Sequence, residues 1–189
     1  MQIATFVLAV VGTALAAASL VWQAATYVLA GGRAQVDLQV GALNPHGHGM
    51  MTAQPCDYDK VWTEQLAEQG YTRPVVSVRV RNVGRLPVTV QRWSLDCLQE
   101  VVQGGGLFRS LFEHRGTVAG LVPIADSIGP SLPHRLEPGA SETWSVDAQA
   151  VHAFAEVNRK TFKLTTAELV GKVELGTGRT HKTRRSIRF

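Results

Sequence analysis

The first 32 residues contain no Asp, Glu, Lys, Arg or His, and this constrains the chain more than any other feature. From Ile3 to Trp22 the side chains are apolar or small. A helix of about 20 such residues matches the roughly 30 Å hydrocarbon core of a bilayer. The pattern predicts an anchor over residues 1–32, a single transmembrane helix with its interfacial end, and an extramembrane domain over 33–189, long enough for one ordinary core. Trp22 and Tyr27 have the amphipathic rings that settle at headgroup level, and they read as an interfacial anchor. Gly31-Gly32 ends the helix by its low propensity.

A cleaved secretory signal is the rival reading, because Ala14-Leu15-Ala16 has the small residues of a cleavage site. No basic residue precedes the apolar run, however, and the run continues through Leu20, Val21 and Trp22. That is longer than the about 7–15 residues of a signal core, so the expectation is a retained anchor. Ala9, Gly12 and Ala16 fall near helical spacing, which would let two such helices approach closely and self-associate. Alanine-rich spans also produce this spacing by chance.

Orientation follows from basic residues: none precedes the span, and Arg33 follows it at once. This favours an outside N-terminus and a cytoplasmic domain in a single-pass cell-membrane protein. A reducing compartment would leave Cys56 and Cys97 as thiols, whereas on the outer side a disulfide between them stays open.

Beyond Arg33 the hydrophobic period changes to two. Val36, Leu38 and Val40 alternate with Gln35, Asp37 and Gln39, as in a strand with one buried face. Val76, Val78 and Val80 repeat the pattern against Ser77, Arg79 and Arg81, and Asn82 to Pro87 supplies a turn. Val88 and Val90 resume the alternation, but Trp93, Leu95 and Cys97 have the opposite parity. One extra residue near Gln91-Arg92, a β-bulge, reconciles the two sets. Leu136-Glu137-Pro138-Gly139 reads as a turn feeding a strand through Trp144 and Val146. Leu169 to Leu175 and Thr183 to Phe189, flanking Gly176-Thr177-Gly178, read as a closing hairpin. Short helices are expected at Tyr58 to Glu68 and at Ala148 to Val157, the second with Val151, Phe154 and Ala155 on one face.

Many short strands without a βαβ rhythm predict a mainly β fold, an antiparallel sandwich preceded by one transmembrane α-helix. Val78-Arg79-Val80-Arg81-Asn82-Val83-Gly84, then Val88-Thr89-Val90, then Leu136-Glu137-Pro138-Gly139 before Trp144-Ser145-Val146 resembles the Asn-x-Gly and Leu-x-Pro-Gly pattern of bacterial immunoglobulin-like adhesion and scaffold domains. The likeness covers roughly residues 75 to 148. Trp22-Gln23 followed by Gly32-Arg33 is similar to uncharacterised bacterial single-span membrane proteins that carry such a domain. The resemblance implies an immunoglobulin-like β-sandwich that binds or scaffolds, with no catalytic residue carried over. A long insertion near 98–130, with Gly104-Gly105-Gly106, departs from the pattern.

Motifs that carry chemistry are sparse. The glycine triplet has no following Lys-Ser/Thr, so it reads as a loop rather than a phosphate cradle. His46, His48 and Cys56 offer zinc-type ligands but not the paired spacing of a site, and His114, His134 and His152 are scattered. Cys97 shares the apolar parity of Trp93 and Leu95 and reads as a buried thiol. Asp57, Asp59, Glu64 and Glu68 form an acidic group whose Lys60 to Glu64 spacing gives a helical rather than a calcium-binding reason. The expectation is therefore a non-enzyme without cofactor or metal. A membrane-anchored hydrolase or metal enzyme with loop-borne residues is the alternative.

The most charged tract is Arg179, Lys182, Arg184, Arg185 and Arg188, with no acidic residue from Gly176 onward. Each basic group near an anionic leaflet gains roughly 1 kcal/mol, so the tract can press the domain onto lipid. It also suits protection of a last, edge strand from pairing with other chains. Nucleic acid ranks below lipid because aromatics are not interleaved with the bases. The expected partners are membrane lipid and a protein whose identity is not encoded. In a Cys97→Ser background an impermeant thiol reagent should leave Cys56 unlabelled in intact cells and label it after lysis; rapid labelling of intact cells reverses the orientation.

Overall fold

In the computed structural model, which describes residues 2–44, 49–54, 65–99, 116–121 and 127–189, the uncharged segment is one helix, α1 (Gln2–Ala30). Its 29 residues span about 43 Å, comparable to the roughly 40–45 Å of a bilayer with its headgroups. The window Phe6–Ala24 is long and apolar enough to cross a membrane, with mean hydropathy 1.9, and none of it is buried. Gly31 follows the last helical residue, as its low helix propensity requires.

Nine strands follow among the described residues: β1 (Ala34–Leu43), β2 (Met50–Ala53), β3 (Arg73–Asn82), β4 (Val88–Gln99), β5 (Gly116–Leu121), β6 (His134–Leu136), β7 (Ser141–Asp147), β8 (Glu168–Leu175) and β9 (Thr180–Arg188). A second helix, α2 (Ala148–Thr161), joins β7 to β8. The first sheet has the order β2-β1-β3-β7 and the second β5-β4-β8-β9, with β6 also on β4. Every ladder is antiparallel.

Alternation decides which faces meet. Val36, Leu38, Val76, Val78 and Val80 of the first sheet share one hydrophobic cluster with Trp93, Leu95, Cys97, Leu169 and Val173 of the second. The parity change in β4 is taken up where expected, by a register shift between Val90 and Arg92 against β8. Pro138 and Gly139 occupy the centre of a turn closed by Ala140 N donating to Glu137 O at 3.0 Å. Gly139 has φ +81°, which the third position of that turn type demands. Asp147 caps α2 by accepting from Gln149 N at 2.8 Å, and Val151, Ala155 and Asn158 form its buried stripe.

Two results depart from the sequence pattern. Ser77, on the parity of the exposed Arg79 and Arg81, is fully buried; its hydroxyl lies 2.7 Å from that of Ser145, its cross-strand partner, with the Met50 sulfur 3.4 Å from the Ser145 oxygen. The stretch expected as an insertion supplies β5 to the second sheet, and Ile128 bridges to Ser145 in the first. Of the helix expected at Tyr58 to Glu68, residues 65–68 are helical, with Leu66 buried, and the remainder lies outside the described residues.

Asn82 ends β3 with no exposed surface and serves three segments at once. Its Nδ2 donates to Leu86 O at 2.8 Å and Leu136 O at 3.1 Å, and its Oδ1 accepts from Gly84 N at 2.9 Å. Its backbone exchanges bonds with Gly139 and Ala140, both at 2.9 Å. The turn so fixed grips the connection to α1. Val83 N donates to Arg33 O at 2.8 Å, and any side chain at Gly84 would collide with the backbone of Gly31 and Arg33. Replacing Asn82 by Ala strands two carbonyls and an amide, so Asn82→Ala should cost about 2–4 kcal/mol. Urea unfolding should show a lower midpoint at unchanged slope.

Candidate functional site

Among the described residues, two strand edges stay open where the sheets adjoin. Among these residues, β2 pairs with Val40–Leu43 of β1 and residues 34–39 have a ladder on one side alone. β9 is the last strand of the second sheet. The two strands begin at the same end of the molecule, because Gly32 abuts Val88 at the start of β4 while Leu175, at the end of β8, pairs with Val90. They then run beside each other, and no ladder joins them among the described residues.

A groove of about 1350 Å³ follows these edges. Arg33, Arg79, Arg179, Lys182, Arg184 and Arg185 line it, and among the described residues Asp37 is the one carboxylate in its lining. Such an excess of one sign along low-dielectric walls focuses positive potential and concentrates anions. Register explains how distant residues share the groove: Asp37 of β1 faces Arg79 of β3 across the first sheet, while β9 brings Arg184 and Arg185 from the second. Arg79 Nη2 donates to Ser141 Oγ at 3.2 Å, and Gln35 Nε2 donates to Asp37 at 3.2 Å. At the end next to Gly32 the lining turns apolar, with Val83 and Leu86 each about half exposed.

The Lys182 ammonium is engaged elsewhere. It lies 3.7 Å from the Asp96 carboxylate and donates to Thr117 Oγ1 at 3.0 Å. Asp96 is buried and also meets Lys172 at 3.6 Å, accepting from Ser94 Oγ at 3.2 Å and Thr117 Oγ1 at 3.4 Å. Burial of a carboxylate is costly unless it is paired and hydrogen-bonded, and here both conditions are met. Strand β4 alone gives no sign of this cluster. It exists because β8 sets Lys172 opposite Ser94, and β9 sets Lys182 opposite Lys172.

The basic tract of the sequence therefore divides. Arg179, Lys182, Arg184 and Arg185 line the groove, while Arg188 lies outside it, opposite Glu168 in the ladder. Because β9 is an edge strand, the edge-protection reading of these charges also has its structural setting. Trp22 projects from α1 with 72% of its surface exposed; the Tyr27 side chain lies outside the described residues.

His46, His48, Cys56, Gly104-Gly105-Gly106 and His114 also fall outside the described residues. His134 packs edge-on to Trp144 at 6.0 Å between ring centres, and His152 to Phe189 at 5.6 Å. Cys97 is a buried free thiol, and burial pushes its pKa up, away from the reactive thiolate. Among the described residues no three His, Cys, Asp or Glu side chains gather as metal ligands. Compared with protein-family models, curated proteins and solved structures, the chain finds no match.

Asp96→Ala would leave Lys172 and Lys182 without their carboxylate; both are part-exposed and can turn to water, so the expected loss is about 1–3 kcal/mol. Asp96→Asn, which retains acceptors for Ser94 and Thr117, should lose less in the same denaturation experiment.

Proposed function

We propose that the chain is a membrane-anchored, immunoglobulin-like module that acts by contact at the bilayer surface, as a scaffold or accessory protein rather than a catalyst. The observation that carries this reading is α1: an uncharged helix whose described side chains are all exposed, leading into the domain through Gly31–Arg33. Exposed apolar surface of that extent gains free energy by entering hydrocarbon. The turn that grips Gly31–Arg33 presents exposed Val83 and Leu86, which suits a position at headgroup level.

Strand adjacency supports the immunoglobulin-like assignment. Constant-type immunoglobulin sheets join strands A, B and E in one layer and C, F and G in the other. The neighbours β1-β3-β7 and β4-β8-β9 follow those two runs. The departures are β2 outside β1, β5 outside β4, β6 on the second sheet, and α2 between β7 and β8. Arg33 directly after the span favours a cytoplasmic domain, and that leaflet carries the anionic lipid a basic surface seeks.

The full chain should remain with membranes through an alkaline carbonate wash and require detergent for release. A version lacking residues 2–30 should come off in the wash. Recovery of the full chain in the soluble fraction without detergent would refute the anchor.

A further inference from the structure

We infer that the groove between β1 and β9 binds the phosphate-bearing headgroup of an anionic phospholipid. The inference rests on the membrane-anchored reading, because it is the anchor that brings this groove to lipid.

Four features converge on that ligand. Gly32 and Arg33 line the groove, so it opens at the residues where the chain leaves α1. Val83, Leu86 and Pro87 form an apolar lip at that same end, and the arginines of β9 continue away from it. Apolar near the bilayer and cationic beyond it is the order in which a phospholipid presents its glycerol carbons and its phosphate. Guanidinium groups supply planar, permanently charged forks that match phosphate oxygens. Finally, about 1350 Å³ exceeds the roughly 300–1000 Å³ of common small-ligand sites, enough for a headgroup with its glycerol.

Other anions fit less well. Nucleic acid binding draws on aromatic stacking, and among the described residues the lining contains no Phe, Tyr or Trp. Free phosphate needs neither the apolar lip nor the volume. An acidic peptide would find the cations but gains nothing from a mouth that opens beside a membrane helix.

The test uses the full chain in neutral detergent, titrated with phosphatidylglycerol or phosphatidylcholine, with bound lipid counted by native mass spectrometry. Phosphatidylglycerol should bind and phosphatidylcholine should not. Arg184→Gln/Arg185→Gln should weaken binding by on the order of tenfold or more, from the gain each basic group makes near anionic lipid. Arg79→Gln, on the other wall, should weaken it too, so the test survives if the double variant does not fold. Arg188→Gln, outside the groove, should bind as the parent does.

Equal loss in Arg188→Gln overturns the site in favour of a diffuse basic strand, and undiminished binding in both groove variants overturns it outright. Displacement of lipid by inorganic phosphate reassigns the groove to free phosphate, and displacement by a polyglutamate peptide reassigns it to a protein partner. Carbonate extraction of the same variants reads the anchor separately: a chain that stays in membranes but loses no lipid affinity sinks the groove alone.

Discussion

One constraint governs the rest of the molecule: two sheets must bury their valine-rich inner faces in a single core. Trp93 and Trp144, one from each sheet, are both within 2% of complete burial, and Val78, Val80 and Val90 have no exposed surface. A sheet that commits one face in this way loses the freedom to slip, since a shift of one residue would turn every valine outward. The ten-residue register of β1 on β3 and the bulge in β4 are therefore fixed by packing. The open edges of β1 and β9 come to lie side by side for the same reason.

The strands with strict alternation were legible from residues alone, as were the bulge, the Pro138-Gly139 turn, the closing hairpin and α2. Each is a local signal, either a period or a φ requirement. What escaped was pairing across distance. Ser77 looks solvent-facing in its own strand, and its burial depends on Ser145 and Met50, which only the sheet order brings near. Asp96 likewise sits on a polar parity until β8 and β9 set lysines against it. β5, with the sequence Gly-Thr-Val-Ala-Gly-Leu, has too weak an alternation to announce a strand. The groove was half legible: the basic residues of β9 stood out, but Arg79 enters only through the register of the first sheet, and Arg33 through the turn whose Val83 N bonds its carbonyl.

The buried polar groups are satisfied rather than merely tolerated. Among the described residues, no buried side-chain nitrogen or oxygen lacks a partner. Asn82 shows what such satisfaction achieves, because one amide side chain stands in for backbone pairing at a corner where β3, β6 and the turn before β7 converge. In a low-dielectric corner such a network is stiff, since any movement strands a polar group. That stiffness extends to Gly31–Arg33, held by Val83 and Gly84.

So short a connection has a mechanical meaning. Three residues reach at most about 10 Å even when fully drawn out, and here part of that length is already clamped. On the membrane reading, the domain has almost no slack. Its altitude above the bilayer is dictated by covalent bonds, and a tug on either side of the junction is felt on the other with little give.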